Sequence, residues 1–162
     1  MVRAPSSEQY RAQRLADPSS FQPSIMYWDL NNDPSGKVLD LDEPLRVKFR
    51  VLWSRNRIHD LHFGWVSEET MHYQYRDKVL EYWDMKGGRD AQIRQVIGEL
   101  DKDRPYLVHK IVQDRVVSGR RQYLVEWVGY EHPTWQDGNA LPGSLVQDFR
   151  KQKNRRRRRA RK

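Results

Sequence analysis

The stretch Tyr123-Leu124-Val125-Glu126-Trp127-Val128-Gly129-Tyr130 decides the fold of this chain. It is rich in aromatic and β-branched residues and carries a glycine near its end, the composition of a short strand running into a turn. Its first five residues align with an earlier segment, Phe49-Arg50-Val51-Leu52-Trp53. Each copy is followed by a second tryptophan, Trp135 or Trp65, and then by a helical pattern. Two such segments imply a tandem repeat of one supersecondary unit, a three-stranded sheet closed by a helix.

Working outward from the later copy, residues 106–117 form one β-rich run, Ser118-Gly119-Arg120-Arg121 a hairpin turn, residues 122–128 a second run, and Thr134-Trp135 a third. Leu145 and Phe149 then stand at i and i+4 on a closing helix. Around the earlier copy the strands are Ile25-Met26-Tyr27-Trp28, residues 47–53 and Phe63-Gly64-Trp65-Val66, with turn residues at Asn32-Asp33-Pro34-Ser35-Gly36. Tyr75, Val79 and Trp83 recur at i, i+4 and i+8, predicting a helix over 72–86 that Gly87-Gly88 stops. Ile93, Val96, Ile97 and Leu100 predict a second, short helix behind an Asp90 cap.

The fold class is therefore α+β: two small three-stranded antiparallel sheets, each packed by a C-terminal helix and joined by a short helix. The boundaries are a disordered segment 1–24, a first unit 25–86, a helical linker 87–104, a second unit 105–150 and a basic disordered tail 151–162.

Composition narrows the function. A chain of 162 residues, 37% hydrophobic and 32% charged, suits one or two small soluble domains rather than a large enzyme core. It has no cysteine, which removes disulfides, thiol nucleophiles and cysteine zinc sites. No apolar run reaches membrane-spanning length and the first twenty residues lack a signal-peptide core, so a soluble intracellular protein is expected. The net charge of +8 is a matter of position. Residues 150–162 hold 10 Lys or Arg and no acid, leaving 20 basic against 22 acidic residues upstream. A solvated block of like charge suits phosphates or an import receptor, and the slightly acidic body suits cationic ligands.

Tyr106, Trp127 and Tyr130 come from the start of one strand, the end of the next and the loop after it. Rings at such positions can box a quaternary ammonium, because each negative π face attracts the cation without the hydrogen bonds a plain ammonium demands. Trp135 reads instead as core, facing Leu145 and Phe149. At these residues the sequence resembles a chromodomain: Tyr106-Leu107-Val108-His109-Lys110-Ile111, Asp114-Arg115-Val116-Val117-Ser118-Gly119, the 123–130 stretch, Thr134-Trp135, and Leu141 with residues 145–149. The resemblance implies that Tyr106, Trp127 and Tyr130 form a methyl-lysine cage, and that a histone tail inserts as an extra strand between the module's N-terminal strand and residues 136–141, along Val108, Gln136 and Asn139. The family's acidic residue after Thr-Trp is Gln136 here, and Glu131 is the candidate substitute for the acid that leans on the family's cage, which the shortened loop after Tyr130 loses.

The first unit looks like a divergent chromodomain, in a tandem order that resembles chromodomain-helicase-DNA-binding proteins and small fungal chromodomain proteins. Trp53 matches the cage tryptophan, Asn56 stands where an aromatic belongs, and Tyr27 or Trp28 is the ring available for a degenerate cage with Trp53. From packing alone, Trp53, Trp65, Tyr75 and Trp83 read as core. The acidic clusters Asp40-Leu41-Asp42-Glu43 and Glu68-Glu69 read as solvated or capping groups, and His59 and His62, three apart with no carboxylate partner, as no zinc site.

The expectation is a nuclear, non-enzymatic chromatin protein without cofactor or metal. Its partners are a methylated histone H3 tail in the second unit, DNA or RNA on Arg155, Arg156, Arg157, Arg158, Arg159, Arg161 and Lys162, other chromatin proteins, and no membrane. The alternatives are a non-reading nucleic-acid or protein adaptor and a remnant of a retroelement integrase chromodomain.

Overall fold

The computed structural model of the chain describes residues 22–30, 44–54, 61–100 and 104–160, and the backbone alone at Gln22, Ser54, Leu61 and His62. The expectations for residues 1–21, the turn at 32–36, the acidic cluster at 40–43, Asn56, His59, Arg161 and Lys162 lie outside the described residues, and that for the His62 side chain does too. The chain divides into two compact units, Met1–Tyr106 and Leu107–Lys162.

In the first unit, strands β1 (Gln22–Leu30), β2 (Val47–Ser54) and β3 (Leu61–Ser67) form an antiparallel sheet in that order. β1 begins inside the segment expected to be disordered, because Gln22, Pro23 and Ser24 find partners opposite Ser54, Trp53 and Leu52. Alternation along β2 sends Val47, Phe49, Val51 and Trp53 to one face, where all four are buried. Helix α1 (Glu68–Met85) covers that face with Met71, Val79, Tyr82 and Trp83. It starts four residues before the expected His72, capped by the Ser67 hydroxyl, which accepts from the Thr70 amide at 3.2 Å. It stops at Gly87-Gly88 as the sequence implies: Gly87 has φ 81°, and the Gly88 amide donates to the Trp83 carbonyl at 2.8 Å.

Helix α2 (Arg89–Ile97) begins one residue before Asp90, so Asp90 lies in its first turn and Gly88 holds the cap position. The segment expected to be a linker belongs to the first unit. Ile93 is wholly buried in that core, with Ile97 and Leu100 packed against it, because the i, i+3, i+4 stripe needs an apolar partner.

Glu68 is the largest departure from the sequence reading. It is 0% exposed, and its carboxylate accepts from Trp83 Nε1 at 2.7 Å and from Arg89 Nε and Nη2 at 2.8 to 3.0 Å. Arg89 Nη2 also donates to the Leu45 carbonyl at 3.3 Å. A carboxylate leaves water only when its lone pairs are met, and this fork with an indole N–H meets them. The pair fastens the start of α1 to the start of α2.

In the second unit β4 (Val108–Val117), β5 (Arg120–Trp127) and β6 (Thr134–Asp137) form the second antiparallel sheet, again in sequence order. Tyr106 therefore precedes the strand it was expected to open. The inner face carries Ile111, Tyr123 and Val125, with Leu141 and Val146 from beyond β6. A 3-10 turn (Gly138–Ala140) leads into helix α3 (Gly143–Arg159), whose Phe149 meets Tyr123 edge-on at 5.9 Å. Arg150 donates to the Tyr123 hydroxyl at 2.8 and 3.1 Å.

The tail expected to be disordered is the end of this helix as far as Arg159. Arginine is a strong helix former, its side chains reach into water on every side, and cations in a last turn suit the negative end of the helix dipole. Among the described residues no helix is long and apolar enough to cross a membrane.

Candidate functional site

Gly129 has φ 83°, the left-handed conformation that a type II turn needs at its third position. The turn closes with the Tyr130 amide donating to the Trp127 carbonyl at 3.3 Å, which sets Trp127 and Tyr130 at its two ends. Its second residue, Val128, donates to the Leu107 carbonyl at 3.0 Å, and Val108 stands opposite Trp127 in the ladder. Tyr106 is bonded to Leu107 and is 48% exposed. Backbone bonds thus tie Leu107 and Val108 to the turn that carries Trp127 and Tyr130 at its ends.

Trp127 follows Tyr123 and Val125 on the inner face of β5, yet it is only half-buried, packed against the rim of the core. Its indole Nε1 donates to Thr134 Oγ1 at 2.9 Å, and Gln136 Nε2 donates to the same hydroxyl at 3.0 Å. Thr134 orients both, a role that sequence reasoning missed; the register that puts Thr134 opposite Val125 is the signal. Of the residues expected along a peptide groove, Val108 packs on the core beside Trp127 and Gln136 is joined to Trp127 through Thr134. Asn139 is exposed on the 3-10 turn. Glu131 lies 3.8 Å from His132 Nε2, both side chains open to water.

Trp135 is not core. It stands opposite Leu124 in the register, on the face turned away from Tyr123 and Val125, and carries the Arg115 guanidinium over its ring at 3.9 Å. Trp65 is not core either: it is 43% exposed on the outer face of the first sheet. Trp53 and Trp83 are buried as expected, and Tyr75 packs against Trp53 at 5.7 Å between centroids.

The degenerate cage expected from Tyr27 and Trp53 does not assemble. Tyr27 faces outward beside Trp65, while Trp53 is 4% exposed on the inner face beneath Tyr75. A sheet separates the two rings, because a bulge between Ile25 and Tyr27 changes which residues of β1 face out.

Charge is concentrated where α3 meets β4. Asp114 accepts from Arg121 at 2.7 Å and from Lys153, and the Lys153 hydrogen bond is the chief reason that its carboxyl is held below the ordinary aspartate value of 3.8. Lys110, Lys153, Arg156 and Arg157 line one cleft between β4 and α3. Arg155, Arg156, Arg157, Arg158 and Arg159 are all exposed. Among the described residues no group of His, Asp and Glu is arranged to hold a metal ion.

No family model matches the chain. It is similar to the Chromo domain-containing protein cec-4 of Caenorhabditis elegans, 27% identical over 108 residues, which cover 65% of this chain and 34% of that protein. The aligned part is about a third of the length of the curated relative. Together with the two three-stranded sheets and their packing helices, this similarity supports a chromodomain-like protein.

Proposed function

We propose that the second unit reads a methylated lysine on a histone H3 tail, with Tyr106, Trp127 and Tyr130 as the walls of the cage. The observation that carries this reading is the half-open Trp127, held by Thr134 at the end of a turn whose other end is Tyr130. An indole fixed through its N–H keeps its face available, and a trimethylammonium meets that face without needing hydrogen bonds. The peptide backbone adds as a strand beside residues 105–108, with Gln136 and Asn139 across from it. The similarity to a chromo domain-containing protein supports a chromatin-associated role. We place the protein in the nucleus, without enzymatic activity, alongside other chromatin proteins.

The exposed arginines of α3 add a sequence-independent grip on DNA or RNA, strengthened as counterions are released from the phosphates. Arg161 and Lys162 extend the same charge in sequence.

The test is a titration of trimethylated and unmethylated H3 tail peptides against wild type, Trp127→Ala and Tyr130→Ala, each checked for folding by circular dichroism. Micromolar binding corresponds to about 8 kcal/mol, of which each ring supplies on the order of 0.5 to 2 kcal/mol. Trp127→Ala is expected to weaken the trimethylated peptide by about tenfold or more, with the unmethylated peptide weak throughout. Equal affinity for the two peptides, or discrimination that survives Trp127→Ala, overturns the reader and leaves a non-reading adaptor.

A further inference from the structure

The outer face of the first sheet carries large rings where a solvated sheet face ordinarily carries polar residues. Tyr27, Arg50 and Trp65 lie opposite one another across all three strands, and Phe63 stands one position along, opposite Leu52. Tyr27 is 52%, Phe63 42% and Trp65 43% exposed. The rings are arranged rather than scattered: Tyr27 meets Trp65 edge-on at 5.4 Å with 87° between planes.

Resident cations fix the sign of what this face can take. Arg50 Cζ lies 5.7 Å from the Phe63 centroid and 5.8 Å from that of Trp65, and Lys48 Nζ lies 4.9 Å from Trp65. Asp29, opposite Lys48 in the register, pairs with it at 3.4 Å, so the face keeps a positive balance through Arg50. An incoming ammonium, methylated or not, meets like charge beside these rings. The complementary ligand is anionic and has flat π faces of its own.

We propose that this face is a platform for single-stranded nucleic acid, on which bases stack against Trp65, Phe63 and Tyr27 while Arg50 and Lys48 meet the phosphates. Single strands combine splayed bases with a regular negative backbone, and sheet-borne aromatics flanked by Arg or Lys are the chemistry that holds them. A duplex keeps its bases stacked on one another and offers these rings only its edges. The platform is built from residues of the first unit alone, and its standing does not depend on the cage.

The experiment measures anisotropy of a labelled mixed-sequence oligonucleotide, as RNA, as single-stranded DNA and as duplex, on the full chain. The background is Arg155→Gln, Arg156→Gln, Arg157→Gln, Arg158→Gln and Arg159→Gln, which removes the helix's own phosphate contacts. The expected result is retained single-strand binding, at least about tenfold tighter than duplex, that Phe63→Thr with Trp65→Thr reduces by about tenfold or more. Arg50→Gln is expected to lower affinity and flatten the salt dependence. Both variants exchange side chains on the outer face of the sheet, and an unchanged melting temperature verifies the fold. Val116→Thr, at an exposed position of β4, serves as the control for the other unit and leaves single-strand binding unchanged. A preference between RNA and DNA names the source of the strand. Equal affinity for duplex, no loss in Phe63→Thr with Trp65→Thr, or competition by polyglutamate as effective as by the single strand overturns the proposal, the last in favour of an acidic protein partner.

Discussion

The two sheets of this protein carry the same inner-face triplet and use it differently. Phe49, Val51 and Trp53 in the first unit match Tyr123, Val125 and Trp127 in the second, and the first two members of each are wholly buried or nearly so. The third member diverges. In the first unit α1 follows β3 directly and lays Tyr75 on Trp53, which closes the position. In the second unit a 3-10 turn delays the helix, and α3 sends Phe149 to Tyr123, leaving Trp127 half-open at the rim. One strand pattern therefore serves as core in one unit and as a candidate binding wall in the other. The deciding factor is the helix that covers it.

The comparison is most open to attack at its charged supports, since the first unit buries its ion pair and the second does not. Glu68→Ala leaves Arg89 charged and the Trp83 indole N–H without its acceptor in a dry site. It is expected to cost about 3 to 5 kcal/mol in urea unfolding of the first unit. A cost near that of a surface pair, below about 1 kcal/mol, would mean that the fork is not what joins α1 to α2.

Next in size is the tryptophan pair itself. Trp53→Ala empties a covered site and should cost about 3 kcal/mol of stability. Trp127→Ala removes a ring that water already touches, and should cost about half as much while taking the methyl-peptide affinity with it. Equal stability losses for the two would erase the distinction between core and wall.

Smaller still, and confined to acid, is the effect of Asp114. Its folded-state pKa is depressed by Lys153 and Arg121. Its contribution is therefore fully present above the unfolded aspartate value and is lost as pH falls through the lower folded value. Asp114→Asn should flatten the decline of second-unit stability below about pH 4 and leave the first unit's profile unaltered. A decline that persists in the variant would assign it to other carboxylates. The smallest effect expected is that of Arg115→Ala, about 0.5 to 1 kcal/mol from the lost cation–π contact with Trp135, read as a small drop in melting temperature.

Much of this arrangement is legible in the sequence. The six strands, the hairpin at Ser118-Gly119 and the Gly87-Gly88 stop follow from alternation and turn chemistry, which are local. For Trp65 and Trp135, tryptophan's bulk points to the core while strand parity points to the outer face, and parity prevails. Their chain neighbours Val66 and Thr134 stand opposite the inward-facing Phe49 and Val125. Glu68 offers no local signal at all: Arg89 stands 21 residues away and the two meet only after α1 has folded back. Self-repulsion alone predicts a disordered tail, and the anchor that Val146 and Phe149 supply to the same helix outweighs it. Of the proposed cage, the three residues follow from the chromodomain resemblance and their positions at strand ends and in a loop, but Thr134 as the group that orients Trp127 requires the β5–β6 register.

The bulge in β1 also determines which changes of length the first unit can absorb. Ile25 lies opposite Val51 and Tyr27 opposite Arg50, so Met26 is one residue more than the ladder needs. Deleting Met26 would restore plain alternation and leave Ile25 and Trp28 facing the core. β2, paired with β3 residue for residue without a shift, holds no such reserve. Losing one residue near its middle would send half of the strand's apolar side chains to water. Between homologous chains, single-residue insertions and deletions are accordingly expected to accumulate at β1 and to be purged from β2.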